Sequence, residues 1–308
     1  AGDVTVDVAG AVAVDGAGNS NSAATQSVQA FDTLAPNAPV VSALASVTND
    51  ATPTITVTAE AGSTVKVYAN GVLIGTAVEG DAGSYSLTAA ALLDGAYSVT
   101  AVATDASGNE SAASAAQSFT IDTVAPEVPQ ITSGVLTNDA TPVITGTAQV
   151  GATVSVTVAG KTYTVTASDG TWSVDTGAAS GTGTSTFTAN GSNAVSVTAT
   201  DAAGNESAAA TQTLVVDTTL PTVAITDNQE GTANGQIIYT FTFSESVSGF
   251  TADDVTVGNG TKGLFTQVSA SVYQLEVTPD AGEAGDVTVD VAGAVAVDGA
   301  GNSNSAAT

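Results

Sequence analysis

One five-residue pattern, Asp-x-x-Gly-Asn, occurs four times in the chain at nearly constant spacing. Its leading residues are Asp15, Asp105, Asp201 and Asp298, which are separated by steps of 90, 96 and 97 residues. A pattern that returns at a long and nearly fixed period is the signature of a repeat protein. Each step is also long enough for a small domain with its own hydrophobic core. The sequence therefore predicts a tandem array of units of this size.

The two ends of the chain repeat one another. Residues 1–25 are identical in sequence to residues 284–308, at an offset of 283 residues. Because this offset equals the three repeat steps together, we expect the chain to be an excerpt from a longer array, cut within a unit at each end.

The alternation of residue types predicts β-strands throughout. Val4 and Val6 alternate with Thr5, and the same period of two recurs along the chain between turns rich in Gly, Asn and Asp. Asn70–Gly71 lies between two Val-rich runs and predicts a tight hairpin, because both residues tolerate positive φ. In the first complete unit we expect seven strands, antiparallel throughout, at about 38–44, 53–59, 64–69, 72–78, 84–88, 96–104 and 116–121. The predicted fold class is all-β, with tandem immunoglobulin-like β-sandwich domains strung end to end.

Further repeated motifs carry a resemblance to a known family. Asp-Thr-x-x-Pro begins at Asp32, Asp122 and Asp217, and Thr-Asn-Asp-Ala-Thr-Pro occupies residues 48–53 and 137–142. Together with Thr-Asp-x-x-Gly-Asn-Glu-Ser, these motifs resemble the bacterial immunoglobulin-like repeats of giant RTX-type adhesins, which are exported by type I secretion. The region with Phe-Ser-Glu-Ser-Val and Phe-Thr-Ala-Asp-Asp is similar to a second subtype found in those proteins. The resemblance implies calcium-binding sandwiches, outside the cell and on the bacterial surface, that extend an adhesive tip.

On this basis we predict four segments. Residues 1–32 are the C-terminal part of a preceding immunoglobulin-like repeat, and residues 33–122 and 123–217 are complete domains. Residues 218–308 are a domain of the second subtype that lacks its last strand. The partners expected from this organisation are neighbouring repeats of the same array. The RTX nonapeptide Gly-Gly-x-Gly-x-Asp does not occur in the sequence.

The charge balance excludes some partners. The chain carries 30 carboxylate residues against three lysines, with no Arg or His, for a net charge of −27. Such a surface repels nucleic acids, because phosphate contacts need cations. No run of 18 apolar residues occurs, so direct membrane insertion is not expected. The acidic excess is equally consistent with simple solubility and with the binding of divalent cations.

The acidic loop residues can be sorted by the end of the sandwich at which their loops lie. Three sets are expected to gather at the Asp-Thr-x-x-Pro joints. The first is Asp32 with Glu60, Asp105 and Asn109; the second is Asp122 with Asn49, Asp50, Asp201 and Asn205; the third is Asp217 with Asn138, Asp139, Glu245 and Asp298. Carboxylates crowded without nearby cations repel one another unless a metal neutralises them. Ca²⁺ suits such oxygen ligands, whereas zinc and copper prefer the His or Cys that the chain lacks.

An alternative explanation covers each acidic residue taken alone. Asp and Asn in loops commonly accept a hydrogen bond from the backbone two residues further on, in Asx turns. For a single loop Asp we prefer this explanation. For Asp32, Asp122 and Asp217, each immediately before a Thr-x-x-Pro linker, we prefer a calcium ligand that locks adjacent units.

These features support a calcium-rigidified extender that projects a distal adhesive domain. Two alternatives remain open: a module that binds glycan, ice or protein, and an extracellular filament subunit. In the filament, homotypic end-to-end contact would arise by strand addition, with residues 26–32 of another copy completing the closing unit. An enzyme is not expected, because no His, Cys or Gly-x-Ser-x-Gly motif is present.

Overall fold

In a computed structural model, residues 2–178, 180–282 and 285–308 are described. The chain divides into two units, residues 1–125 with 202–205 and residues 126–201 with 206–308. Strands dominate both units. The only helical element of the described residues is a single 3-10 turn, Ala252–Asp254. Within the same ranges, no helix is long and apolar enough to cross a membrane.

The first unit contains ten strands. They are β1 Gly2–Val6, β2 Ser27–Phe31, β3 Val40–Val41, β4 Val47–Thr48, β5 Thr54–Thr58, β6 Thr64–Ala69, β7 Val72–Glu79, β8 Ser84–Thr88, β9 Gly95–Thr104 and β10 Gln117–Ile121. β1 and β2 form a separate two-stranded antiparallel sheet. The other eight form one ladder in the order β3-β5-β8-β7-β6-β9-β10-β4. β7 pairs first with β6 and then, at Val78–Glu79, with β8, so it connects the two layers of a sandwich.

Alternating burial along these strands builds the core between the layers. In β6, for example, Val65 and Val67 are buried while Lys66 points outward. Their apolar side chains meet Ile55, Tyr85 and Phe119 in one cluster. The predicted hairpin is confirmed, since Asn70 and Gly71 have φ values of +50° and +78° between β6 and β7.

Two sequence predictions for this region are wrong in detail. The strand expected at 38–44 is only two residues long, β3, and a second short strand, β4, follows it in the other layer, because the chain crosses between layers there. The pairing is also not antiparallel throughout, since β4 pairs parallel with β10. A crossing strand re-enters the second layer beside the last strand and in the same direction, which gives the parallel pair.

The second unit contains fourteen strands. They are β11 Gln130–Ile131, β12 Leu136–Thr137, β13 Val143–Thr147, β14 Thr153–Val158, β15 Lys161–Thr166, β16 Thr171–Asp175, β17 Gly191–Thr200, β18 Ala210–Val216, β19 Val223–Asp227, β20 Ile237–Phe243, β21 Val255–Gly258, β22 Gly260–Gln267, β23 Val272–Pro279 and β24 Thr288–Val291. The sheets are β11-β13-β16 with β12-β18-β17-β14-β15, and β19-β20-β23-β22 with β21-β24. β12 again pairs parallel with the last strand of its sandwich, β18.

Two hydrophobic clusters lie in the second unit. One gathers residues between Ile144 and Val216 around Trp172, which occupies the place of Tyr85 in the first unit. The other gathers residues between Val223 and Ala296 and contains edge-to-face contacts of Phe250 with Phe241, Phe243 and Tyr273. The fold is therefore all-β, with successive immunoglobulin-like sandwiches, as the sequence predicts. The exact domain boundaries remain a prediction.

Candidate metal centre at the joints

The Asp-x-x-Gly-Asn pattern forms a closed loop around its own aspartate. At Asp298, Oδ1 accepts hydrogen bonds from the backbone N–H groups of Ala300, Gly301 and Asn302 at 2.7–2.8 Å. Asn302 Nδ2 donates to Oδ2 of the same aspartate at 2.8 Å. Gly301 has a φ of +97°, a conformation that strongly favours glycine. The motif spacing thus follows from the geometry of one tight loop.

The same loop recurs in the first unit. Asp105 accepts from the backbone of Ser107 and Asn109 and from the Asn109 side chain, at 2.8–2.9 Å. Asp15 accepts the corresponding three bonds from Ala17 and Asn19, each at 2.9 Å. These donors lower the pKa of the carboxyl groups of Asp105 and Asp15, with the asparagine side chain as the largest cause.

The loop asparagine also donates to the backbone of a joint aspartate, Asp32, Asp122 or Asp217. Asn109 Nδ2 lies 3.1 Å from the Asp32 carbonyl oxygen, and Asn205 Nδ2 lies 2.8 Å from that of Asp122. In the second unit, Asn302 Nδ2 lies 2.7 Å from the carbonyl oxygen of Asp217. We call this bond the asparagine latch. It ties each Asp-Thr-x-x-Pro segment to a loop that lies 77 to 85 residues further along the chain.

The joint segment is fixed by two further contacts. Oδ1 of each joint aspartate accepts the amide two residues on, at 3.0–3.1 Å, in an Asx turn. The threonine after Asp122 donates from its amide and hydroxyl to Asp94, and the threonine after Asp217 donates in the same way to Asn190. The Asx-turn explanation is therefore correct for one oxygen, Oδ1, of each joint carboxylate.

The parallel strand pairs bring a second asparagine to each of the last two joints. The amide of Asp122 donates to the Thr48 carbonyl at 3.0 Å, and that of Asp217 donates to the Thr137 carbonyl at 2.9 Å. Asn49 and Asn138 follow directly in sequence. A methyl group built on Gly204 would lie 3.5 Å from Asn49 Nδ2, and one built on Gly301 would lie 3.4 Å from Asn138 Nδ2. Both asparagines therefore lie against an Asp-x-x-Gly-Asn loop.

Three carboxylates converge at the joint of the second unit. Asp217, Glu245 and Asp298 each place an oxygen within 4.8 Å of the other two, and we call them the carboxylate triad. Asp298 is buried, at 6% exposure, and the other two are half-buried. The unit's lysines are engaged elsewhere, since Lys161 and Lys262 donate to the carbonyls of Ala178 and Ala252.

The electrostatics of the triad differ from one carboxylate to the next. Burial, together with the charges of Asp298 and Asp217, raises the pKa of the Glu245 carboxyl above its ordinary value of 4.5. For Asp298 burial alone would raise the pKa, but the donors of its loop outweigh burial and lower the pKa below 3.8. Three carboxylates ionised together repel one another, and a cation among them would relieve that repulsion. An all-oxygen donor set fits Ca²⁺.

The other predicted site residues have more varied surroundings. Asp50 and Asp139 accept the backbone and hydroxyl of Thr52 and Thr141 with Oδ1, at 2.8–3.3 Å, in local Asx turns. Glu60 contributes its carbonyl, which accepts from the Tyr85 hydroxyl at 2.8 Å. Within residues 2–125 and 202–205, no three carboxylates approach as closely as the triad, so Asp32, Glu60 and Asp105 do not form such a group. The roles of these residues and of Asp201 in metal binding remain predictions.

The latch is a feature that sequence patterns did not reveal. The sequence predicts Asn109 and Asn205 as oxygen ligands of a metal, and this stays a prediction; in the structure their amide nitrogens donate to the joint backbone. Asn302 was not singled out, although it stands at the same place in the repeat as Asn109 and Asn205. That alignment is the signal that could have identified it.

Several solved structures are similar to the chain. A tetra-tandem repeat from the extending region of a large adhesion protein is 23% identical, with a TM-score of 0.31, over 99% of this chain and 80% of that one. The fibronectin(III)-like modules of Clostridium thermocellum CbhA are 17% identical, with a TM-score of 0.38, over 58% and 94%. The BSP domain of a biofilm associated protein is 21% identical, with a TM-score of 0.23, over 59% and 30%.

No curated protein matches the sequence. Family models do match it, and both carry the description bacterial Ig-like domain. One matches residues 40–123 and again 131–218, and the other matches residues 217–308. The matched ranges follow one another along most of the chain and coincide with the three hydrophobic clusters. The chain therefore belongs to the bacterial Ig-like domain family.

Proposed function

We propose that the chain is a calcium-stiffened extender of an extracellular bacterial adhesin, in which tandem domains hold a distal adhesive region away from the cell surface. The observation that carries the proposal is the carboxylate triad beside the latched joint of the second unit. Asp217 lies where the two matched family ranges overlap, and Glu245 and Asp298 lie in the body of the second range. An ion bound there would tie the joint segment to the domain that follows it.

The latch and the ion would act on the same segment in different ways. Asn302 holds the Asp217 backbone, and the Asx turn uses Asp217 Oδ1. The remaining Oδ2 atom, with Glu245 and Asp298, would supply the ligands. Buried Pro221 further restricts the linker. A joint with few free torsions transmits orientation from one domain to the next, which is what an extender requires.

Two measurements on the full chain test this function. Calcium should raise the melting temperature, because an ion bound only to the folded state stabilises it by about 2.7 kcal/mol at a hundred times its dissociation constant. A chelator should reverse this gain and reduce the maximum dimension in small-angle scattering, because loosened joints sample bent arrangements. Magnesium should be less effective, since it requires stricter octahedral geometry.

A pair of identical substitutions supplies the control. Asp298→Asn should remove most of the calcium response, whereas Asp15→Asn, in the same local sequence but with no triad described around it, should leave the response intact. Equal melting temperatures and equal scattering with calcium and with chelator would rule out the proposed role of calcium.

A further inference from the structure

The sequence contains four Asn-Gly pairs, at residues 70–71, 190–191, 234–235 and 259–260. In such a pair the glycine nitrogen can attack the side-chain amide carbon of the asparagine, because glycine has no β-carbon to crowd the approach. Asparagine is a thermolabile residue for this reason. Whether a given pair reacts in the folded protein depends on how firmly the structure holds the asparagine side chain.

Two of the four asparagines are fixed in tight turns. Asn70 is held at both ends, since its Oδ1 accepts from the Ser98 amide at 2.9 Å and its Nδ2 donates to the Ala96 carbonyl at 3.1 Å. Asn259 Nδ2 donates to the Asp286 carbonyl at 2.8 Å. Both asparagines also have positive φ, at +50° and +56°. Their side chains must lose these bonds before the amide carbon can turn toward the next nitrogen.

The pair at 190–191 is held through the joint. Asn190 Oδ1 accepts from the amide and the hydroxyl of Thr218, at 2.7 and 2.8 Å. Its side chain is therefore directed at the segment that follows Asp217, and away from the nitrogen of Gly191. Reaction here would again require the loss of two hydrogen bonds.

Asn234 differs from the other three. Its side chain is exposed and makes no hydrogen bond to the described residues of the chain. A methyl group built on Gly235 would have no heavy atom of those residues within 4 Å, so this part of the backbone faces open space. Neither residue of the pair has positive φ. The amide carbon of Asn234 is thus free to approach the Gly235 nitrogen.

The loop that carries Asn234 is anchored on both sides of the pair. It connects β19 to β20. Asn228 Oδ1 accepts from the Ile238 amide at 2.9 Å, and Gln236 Nε2 donates to Glu276 Oε2 at 2.9 Å. The tip of the loop can therefore change chemically while the strands beside it stay paired.

We propose that Asn234 is a site of spontaneous deamidation in the folded protein. The Gly235 nitrogen loses its proton to solvent hydroxide and bonds to Cγ of Asn234, which closes a succinimide ring. The bond from Cγ to Nδ2 breaks, and the nitrogen takes up a proton and leaves as ammonia. Water then opens the ring at one of its two carbonyl carbons and gives aspartate or isoaspartate. No oxidant, metal or enzyme takes part.

Each event adds one carboxylate to a chain of net charge −27. The new charge joins Asp227 and Glu230, which are exposed on the same loop. The isoaspartate product also lengthens the backbone of the loop by one carbon. Because the reaction uses neither the joints nor calcium, the converted fraction grows with the time that the folded protein spends in solution.

The first test compares the four pairs within one chain. The full chain is incubated in mildly alkaline buffer made with isotopically labelled water, which marks each opened ring, and the products are located by proteolysis and fragmentation mass spectrometry. In the folded chain Asn234 should convert about tenfold faster than Asn70, which must first lose two hydrogen bonds. Asn190 and Asn259 should also convert more slowly than Asn234.

The same chain in denaturant supplies the control, since unfolding removes the hydrogen bonds that distinguish the pairs. The four rates should then converge. Equal rates for Asn234 and Asn70 in the folded chain, or the same ranking of the four pairs in denaturant, would overturn the proposal.

A glycine substitution tests the attacking nitrogen. Gly235→Ala should fold with the wild-type melting temperature, because the position faces open space and its φ is not positive. The added β-carbon crowds the nitrogen and should slow the conversion of Asn234 about tenfold, with the rate at Asn190 unchanged. Conversion of Asn234 at the wild-type rate in this variant would contradict attack by the Gly235 nitrogen.

Discussion

Residues 2–25 and 285–308 have one sequence and two surroundings, and the comparison separates what the loop encodes from what its neighbours add. Many of the local hydrogen bonds are the same in both. Ala11 donates to the Asn21 carbonyl at 2.9 Å, and Ala294 donates to that of Asn304 at 3.0 Å. The aspartate loops match as well, at Asp15–Asn19 and Asp298–Asn302.

Burial is what differs. Val6 is 62% exposed, whereas its counterpart Val289 is 7% exposed and belongs to the core of the second unit. Asp15 and Asn19 are exposed, whereas Asp298 and Asn302 are buried. Only the second copy has Asp217 and Glu245 beside it. The comparison shows that the loop shape is a local property, while the candidate metal centre exists only where a neighbouring joint supplies the other acids.

The largest difference in stability loss between the two copies is expected when the loop asparagine, Asn302 or Asn19, is replaced. Asn302→Ala removes donors to Asp298 and to the Asp217 carbonyl, so buried acceptors lose their partners, at a cost of about 1–3 kcal/mol. Asn19→Ala should cost less than about 0.5 kcal/mol because its site is exposed. Native-state hydrogen exchange of residues 289–304 and 6–21 measures both. Similar losses in the two copies would mean that the latch adds nothing.

A smaller loss of stability, nearly equal in the two copies, is expected when the loop glycine, Gly18 or Gly301, is replaced by alanine. Gly18 and Gly301 have φ values of +90° and +97°, so Gly→Ala should cost about 1 kcal/mol at either site. The cost at Gly301 should be slightly greater, because the added methyl group would meet Asn138. NMR exchange of the Asn21 and Asn304 amides reports on each loop. An effect confined to one copy would contradict local encoding.

The smallest expected effect is the change in the free energy of unfolding with pH, which is below about 1 kcal/mol for half-exposed charges. The raised pKa of Glu245 means that the folded state binds its proton more tightly than the unfolded state does. Without calcium, stability should therefore fall as pH rises from about 4.5 through that raised pKa. Glu245→Gln should abolish this fall and remain more stable than wild type at neutral pH in chelator. Calorimetry from pH 4 to 7 tests it.

A carboxyl group whose pKa is shifted in the opposite direction, that of Glu79, provides the control for that experiment. The amides of Gly83 and Gly62 lower the pKa of the Glu79 carboxyl. Its contribution is present above the ordinary value and is lost as pH falls through the lowered pKa. Glu79→Gln should therefore act in the opposite direction. If the two variants changed the slope of stability against pH in the same direction, the raised pKa of Glu245 would be contradicted.

Most of the fold follows from local signals in the sequence. Alternating Val and Thr predict the long strands, and Asn70–Gly71 predicts its turn because those residue types tolerate positive φ. The equivalent turn at Ala159–Gly160 has no such signal, since alanine rarely adopts its φ of +44°. The two-residue strands β4 and β12 are too short to show a period, and their parallel pairing depends on the position of the last strand.

The candidate site could be predicted only in part. The repeats identify which acids and amides lie near the joints, and the structure brings Asp217, Glu245 and Asp298 together as the topology suggests. Residue type cannot decide what an asparagine does there, because its amide both donates and accepts. Whether Asp50 caps a turn or faces an ion likewise depends on a backbone path that sequence does not specify.

The parallel strand pairs have a mechanical consequence. In the first two sandwiches the second short strand, β4 or β12, runs parallel to and beside the strand by which the chain leaves, β10 or β18. Tension on the two ends pulls these parallel neighbours in opposite directions along their common axis. The bonds from Thr120 to Ser46 and from Asp122 to Thr48 are thus loaded together in shear and do not open one at a time. Force is resisted at the same residues that position the joints at Asp122 and Asp217.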